Sequence, residues 1–403
     1  MELFQITHFL FLVGLSLSTR RKSVAVRAAV TLYIFYSIAP AVSFSIEYFS
    51  LRINHQPQSN QLLAMLVADI MLLMGCGFAG GNRPELQSVS DDSPAFARGV
   101  AVTAIIAVAL DALANHETLL ELKGASSSVQ SAPNLLVLSF PAGLVLLGTF
   151  WRMPFSGWTM RSIIFLSTLF AIAVSVLQGY RDLVLFAVLM WFFHNQRAIG
   201  PLLVALILTG FGELSEGAKV LVRSAITSGD SDVIGYLTFF FDSLSSRVWL
   251  TREQMAIASN WDIAELSQTS MSVQDEFLIL IPGLRSITGV TLAESGADQI
   301  SLQAGVGDGE GTAFGYGIFL LLHPVLACLG LALLPSLVNT VRSSILLPLA
   351  LSFTFSFLRD TPEHWIGQLK LLALLLFLRS LMTWRKTRSP CLRPSGSLRV
   401  IDP

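Results

Sequence analysis

Arginines and one acidic run are the residues of this sequence whose types and spacing best suit chemistry. They are Arg181, Arg247, Arg252, Arg285 and Arg359, together with Asp308 and Glu310 in the glycine-rich run Gly305 to Gly311. Arginine stays charged at every physiological pH, and its planar fork of donors matches a phosphate or a carboxylate. A carboxylate can accept the proton of a sugar hydroxyl. Converging arginines would therefore make a site for a diphosphate, with a carboxylate as a candidate base.

The composition indicates which elements must position these residues. Hydrophobic residues make up 53% of the chain and charged residues 13%, and long apolar runs recur from one end to the other. A soluble fold has no interior large enough for so many runs, so the sequence predicts one all-α, multi-pass membrane domain over residues 1–403. The runs predict about eleven spans: 4–18, 24–49, 61–80, 99–115, 134–151, 162–179, 182–194, 199–214, 313–334, 343–358 and 366–384.

The basic residues predict the orientation of these spans. Alternate connections carry Arg20-Arg21-Lys22, Arg83 with Arg98, Arg152 with Arg161, Arg197, and Arg342, followed by the basic tail. Cytoplasmic connections are the ones that collect lysine and arginine. We therefore expect the N-terminus outside, the C-terminus inside, and residues 385–403 as a basic cytoplasmic tail.

The polar stretch 215–312 becomes, in this topology, one large extracytoplasmic loop with short helices. Three of the arginines, Arg247, Arg252 and Arg285, then lie on the side of the membrane where arginine is normally rare. Arg181 joins the sixth and seventh spans with almost no loop, which places it at the outer membrane boundary. The alternative is that these arginines reach lipid headgroups or pair with acids of the loop.

Several other polar residues have two interpretations. Asp69, Asp111 and His323 fall within or near apolar spans, where an ionisable group is expensive and suggests function. A hydrogen bond to a neighbouring helix would also account for the acids, and ordinary packing would account for His323. Asp308 and Glu310 could equally form a solvated acidic turn. The cysteines and the spacing of His, Asp and Glu predict no metal site and no disulfide framework.

Four segments resemble motifs of a known family. They are Leu-Gln-Gly-Tyr-Arg181-Asp-Leu-Val-Leu, Ser-Ser-Arg247-Val-Trp-Leu, Phe277-Leu-Ile-Leu-Ile-Pro-Gly-Leu-Arg285, and Gly-Glu-Gly-Thr-Ala-Phe-Gly-Tyr-Gly317. In their order and topology they resemble the Wzy-type O-antigen or exopolysaccharide repeat-unit polymerases of the O-antigen polymerase/ligase superfamily. In the third segment, Gly283 and Leu284 intervene between the Ile-Pro pair and the arginine, which departs from the family pattern.

The resemblance implies a GT-C-like glycosyltransferase of the bacterial inner membrane that works without metal or cofactor. Its donor would be a glycan on undecaprenyl diphosphate, and its acceptor a new lipid-linked repeat unit. The resemblance implies that Arg181, Arg247, Arg252 and Arg285 hold the diphosphate, and that Arg285 and Glu310 take part in catalysis. Secondary candidates are Tyr180, Asp308, His323 and Arg359. Expected partners are the bilayer, a chain-length regulator and a flippase, and no nucleic acid.

Three other classes compete with the polymerase. An O-antigen ligase would share the fold and the donor, but ligases usually place a histidine just before the helix that follows the large loop. His323 lies instead about ten residues into that predicted helix. A lipid-linked oligosaccharide flippase would be expected to show internal repeats, and none is visible. A membrane scaffold without catalytic activity would not need so many outer arginines.

Overall fold

The computed structural model of the protein describes residues 2–46, 59–79, 92–114, 139–152, 158–177, 182–195, 200–209, 324–341, 343, 345–359 and 362–387. Every regular element in these ranges is an α-helix, which confirms the all-α class for this part of the chain. The helices are α1 Glu2–Thr19, α2 Val24–Ile46, α3 Ser59–Phe78, α4 Pro94–Ala114, α5 Ser139–Arg152, α6 Trp158–Leu177, α7 Asp182–Asn195, α8 201–209, α9 Pro324–Thr340, α10 Leu347–Arg359 and α11 Pro362–Thr387.

Each of these helices overlaps one of the apolar segments that the sequence predicts as spans. Three of them contain stretches long and apolar enough to cross a membrane, namely Pro94–Ala114, Trp158–Ser175 and Trp365–Met382. The other apolar helices in the described ranges are shorter than 18 residues over their apolar part. A membrane-spanning character is therefore supported for α4, α6 and α11, and the total of about eleven spans stays a prediction.

The start of α4 differs from its predicted position. The apolar run predicts a span from residue 99, whereas the helix begins at Pro94. The Ser93 hydroxyl accepts the Phe96 N–H at 3.1 Å and so caps the first turn. Pro94 then takes the first helical position, where its missing N–H costs nothing. Hydropathy misses this turn because Arg98 lies inside it.

Helices α2 and α10 form the centre of the bundle. Every residue from Val24 to Ser37 is buried, and so is every residue from Ile345 to Leu358. Helix α2 packs on α1, α7, α9 and α10, while α10 packs on α2, α5, α7, α9 and α11. A helix that is buried on all sides can be accommodated only where neighbours surround it, which accounts for the central position of this pair.

The peripheral helices expose large apolar side chains. Leu110 of α4 is 55% exposed, Leu166 of α6 is 62% exposed and Phe377 of α11 is 61% exposed. Contiguous apolar surface of this kind is unfavourable in water and is covered when the helix faces lipid acyl chains. These are the same three helices that contain the long apolar stretches.

Hydrogen bonds between distant helix ends define one end of the bundle, which we call the basic end. Asn339 at the end of α9 accepts from the Ser23 hydroxyl at 2.8 Å and donates to the Ala79 carbonyl at 3.0 Å. The Ser16 hydroxyl, near the end of α1, accepts the Leu202 N–H at the start of α8 at 3.0 Å. The basic end therefore gathers the ends of α1, α3 and α9 with the starts of α2 and α8.

The opposite end, which we call the insertion end, is marked by the starts of α5, α7 and α11 and the ends of α4 and α10. The Ser139 N–H, at the start of α5, donates to the Asp111 carboxylate of α4 at 2.8 Å. The Phe357 ring near the end of α10 contacts the Trp365 ring near the start of α11, with centroids 5.6 Å apart. The predicted topology, in which successive spans run in opposite directions, also places these helix ends on the same side of the membrane.

Glycine permits one very close helix contact. A Cβ atom on Gly75 of α3 would collide with the backbone carbonyl of Ala332 on α9. A Cβ atom on Gly77, two residues further along α3, would meet nothing within 4 Å. Absence of a side chain at Gly75 therefore lets α3 and α9 pack backbone to backbone, as small residues do between membrane helices.

The substitutions Gly75→Ala and Gly77→Ala are expected to have opposite effects on stability. Gly75→Ala forces α3 and α9 apart, and we expect it to lower the free energy of unfolding by about 1–3 kcal/mol. Gly77→Ala adds a methyl group in open space and should be neutral or stabilising by roughly 0.5–1 kcal/mol. Denaturant unfolding of the detergent-solubilised protein measures both. Equal effects of the two substitutions would contradict the close contact.

Candidate functional site

Most residues of the predicted diphosphate site lie outside the described residues. They are Tyr180, Arg181, Arg247, Arg252, Arg285, Asp308, Glu310 and His323. Arg359 is described as the last residue of α10. The loop 215–312 also lies outside these ranges, and α9 is described from Pro324 onward. The roles predicted for these residues stay predictions.

The helices that flank the predicted site are described, and they converge. Helix α7 begins at Asp182, directly after Arg181. One turn into α7, the Phe186 ring packs edge-on against the Phe355 ring of α10, with centroids 5.5 Å apart. Phe355 lies one turn before Arg359. The first residue of α7 and the last residue of α10 are therefore neighbours at the insertion end.

Helix α5 completes this convergence. A Cβ atom on Gly143, one turn into α5, would lie 2.5 Å from Cδ2 of Leu183 in the first turn of α7. The absence of a side chain at Gly143 therefore lets the start of α7 approach α5 closely. The insertion end thus brings together the starts of α5 and α7 with the end of α10, next to the chain positions of Arg181 and Arg359.

Asp111 has a structural role at this end of the bundle. Its carboxylate is 1% exposed and accepts the N–H of Ser139, the first residue of α5. An acid at a helix start satisfies an N–H group that has no partner within the helix, and its charge is favourable there. Asp111 therefore forms a hydrogen bond to a neighbouring helix. The sequence had left two interpretations of Asp111 open, a functional role and a hydrogen bond of this kind.

Two buried hydroxyl groups lie on the neighbouring helices α5 and α6. Ser139 of α5 and Ser175 of α6 are both fully buried, and neither hydroxyl has a hydrogen-bond partner among the described residues. A Cβ atom on Gly143 would lie 3.4 Å from the Ala171 Cβ, which sets the register of this antiparallel helix pair. Ser139 lies one turn before Gly143 and Ser175 lies one turn after Ala171, so the two serines face each other between α5 and α6.

The most concentrated polar group in the described bundle joins α1, α2 and α3. The Asp69 carboxylate lies 2.5 Å from Nδ1 of His8 and accepts the Tyr33 hydroxyl at 2.7 Å through its other oxygen. Nε2 of His8 lies 3.0 Å from the carbonyl oxygen of Ser37. Asp69 was singled out by its position in an apolar span, and the structure supplies its partners. His8 and Tyr33 were missed because they lie 61 and 36 residues from Asp69 in the chain, and nothing in the sequence pairs them with it.

A second buried ion pair lies at the basic end. Nε of Arg379 in α11 donates to Asp92 at 2.6 Å, and the Ser343 hydroxyl donates to the other oxygen of the same carboxylate at 2.9 Å. Asp92 precedes α4 and Ser343 precedes α10, so one carboxylate ties three parts of the chain together. Asp92 and Arg379 are 287 residues apart in the chain, so the sequence did not pair them.

The described residues contain no group of three or more His, Cys, Asp or Glu side chains that could hold a metal ion. Cys76 and Cys328 are free thiols, the first of them buried. The groups that could take part in chemistry in the described part of the bundle are therefore carboxylates, hydroxyls and an imidazole, which lie in hydrogen-bonded clusters.

The regular elements of the described residues are α-helices, and three of these contain stretches long and apolar enough to cross a membrane. Comparison with known proteins finds no matching family model, no matching curated protein and no matching solved structure.

Proposed function

We propose that the protein is a multi-pass glycosyltransferase of the bacterial inner membrane. It would polymerise undecaprenyl-diphosphate-linked repeat units into O-antigen or exopolysaccharide on the outer face, with its N-terminus outside and its C-terminus in the cytoplasm. This is the activity of the Wzy-type polymerases that the four sequence segments resemble. Neither a metal nor a nucleotide sugar takes part.

The observation that supports this proposal best is the distribution of cations along the bundle axis. Asp182, which follows Arg181, and Arg359 belong to helix ends that meet at the insertion end. The loops rich in lysine and arginine connect helices at the basic end. Arginines at the end remote from the basic loops run against the positive-inside pattern, so they call for a functional reason.

The chemistry follows from these cations. The acceptor sugar hydroxyl attacks the anomeric carbon of the donor, a glycosidic bond forms, and the bond from that carbon to the diphosphate oxygen breaks. Arg181, Arg247, Arg252 and Arg285 stabilise the negative charge on the departing undecaprenyl diphosphate. Glu310, with Asp308 as a second candidate, takes the proton of the attacking hydroxyl. Tyr180, His323 and Arg359 are secondary candidates for the same site.

An O-antigen ligase is the nearest alternative, and a lipid-linked oligosaccharide flippase is a further one. The three classes differ in which glycan intermediate accumulates when the protein is missing.

Deletion of the gene in its source bacterium tests the proposal, with gel electrophoresis of the surface glycan as the measurement. We expect long chains to disappear while lipid capped with a single repeat persists, and a plasmid copy to restore the long chains. Loss of every glycan, including single repeats, would contradict a polymerase and indicate a ligase or a flippase.

A further inference from the structure

The positions of His8, Tyr33 and Asp69 determine where the protons in this cluster lie. Nε2 of His8 faces the Ser37 carbonyl oxygen, which can only accept, so Nε2 carries a hydrogen. The Tyr33 hydroxyl donates to one oxygen of Asp69, and that oxygen needs no proton of its own. The remaining contact, between Nδ1 of His8 and the other oxygen of Asp69, therefore decides the charge of the cluster.

That contact accommodates one proton. At 2.5 Å, a nitrogen and an oxygen with no proton between them would bring two lone pairs into repulsive contact. With a proton on each atom, two donors would face each other without an acceptor. With one proton, the pair is either imidazolium with carboxylate or imidazole with carboxylic acid. Both forms are neutral overall, which a fully buried site requires since an unpaired charge there is very costly.

The cluster is closed rather than open to water. His8 is 3% exposed, and Tyr33 and Asp69 are fully buried. The chain of hydrogen bonds starts on Tyr33 of α2, passes through α3 and α1, and returns to Ser37 of α2, one turn from where it began.

The ring also has consequences beyond α1. Ser16, two turns further along α1 than His8, accepts the Leu202 N–H and so caps α8. Helix α8 is the last described element before the polar stretch 215–312. An error in the register of α1 would therefore displace the helix from which that stretch leaves the bundle.

We propose that His8, Tyr33 and Asp69 form a buried site for a single shared proton, a neutral clasp that fixes α1 against α2 and α3. The clasp sets the register of α1 and, through Ser16, the position of α8. Both ring nitrogens of His8 and both carboxylate oxygens of Asp69 are engaged by partners within the cluster. This role is independent of the proposed glycosyltransferase activity.

Substitutions of Asp69 test the clasp through the heat-induced unfolding midpoint of the full-length protein in detergent. Asp69→Asn keeps the ring, because the amide donates to Nδ1 and its oxygen accepts from Tyr33, and we expect a midpoint close to that of the wild type. Asp69→Leu leaves His8 and Tyr33 without a partner and should lower the midpoint by several degrees. The triple variant His8→Phe/Tyr33→Phe/Asp69→Leu removes every polar group and should recover most of the loss.

Two results would overturn the clasp. One is an Asp69→Asn midpoint as low as that of Asp69→Leu, which would mean that the site needs a charge. The other is a triple variant less stable than Asp69→Leu alone. Nitrogen-15 NMR of histidine-labelled wild-type protein gives an outcome that needs no variant to fold. We expect a protonated Nε2 and an Nδ1 that shares its proton, and a neutral imidazole protonated at Nδ1 alone would contradict the assignment.

Discussion

Replacing Arg379 with methionine is expected to destabilise the protein by about 3–5 kcal/mol, because it leaves the Asp92 carboxylate buried without its cation. The Asp92 side chain is fully buried and that of Arg379 is 14% exposed, so water can replace little of the lost interaction. The Ser343 hydroxyl still donates to Asp92, but one neutral donor does not compensate for a guanidinium. Three segments of the chain, before α4, before α10 and within α11, would lose their common anchor.

The measurement is the free energy of unfolding of the detergent-solubilised protein. Arg98→Met is the matched control, because Arg98 lies exposed in the first turns of α4, and surface substitutions of this kind usually change stability by about 0.5 kcal/mol or less. The double variant Asp92→Ser/Arg379→Met removes both charges and should be more stable than Arg379→Met alone. A single variant as stable as the Arg98→Met control would show that the pair contributes nothing.

Replacing Arg181 or Arg285 with lysine is expected to reduce chain extension about a hundredfold while the protein still reaches the membrane. Lysine keeps the charge but offers a point donor in place of the planar fork that binds two phosphate oxygens at once. The substitutions therefore separate bidentate diphosphate recognition from simple attraction to a charged headgroup. Chain length of the surface glycan, in cells that carry only the variant, is the measurement.

The control for this experiment is Arg98→Lys, at the opposite end of the bundle. It should support full-length chains at the same level of membrane-inserted protein. If the two variants at Arg181 and Arg285 also support full-length chains, the assignment of the diphosphate site is wrong. That result would leave the polymerase activity, which the deletion strain tests, unaffected. The two proposals can therefore fail separately.

The existence and the approximate positions of the helices could be predicted from the sequence. An apolar run reports local burial, and in a helix each backbone group finds its partner within the run itself, so neither property depends on the rest of the chain. Helix starts were harder to predict. At α4, a serine cap and a proline extend the helix beyond the apolar run to Pro94.

The candidate diphosphate site was predicted from residue type, topology and the resemblance to the Wzy-type polymerases. The structure adds that α7, which begins at Asp182, starts beside the end of α10. The sequence did not decide whether Asp69 and Asp111 have a functional role or form a hydrogen bond to a neighbouring helix. Asp111 proves to hydrogen-bond the start of α5, and Asp69 belongs to a ring whose other members the sequence did not single out.

By itself, then, the sequence determined the helical class, the apolar segments and the unequal distribution of basic residues, because each depends on composition over a short stretch of chain. Only the tertiary structure decided which polar groups meet. His8 and Asp69 are 61 residues apart in the chain, and Asp92 and Arg379 are 287 apart. Such partners are selected by the packing of whole helices, and a buried charge is stable only where that packing supplies its counterpart.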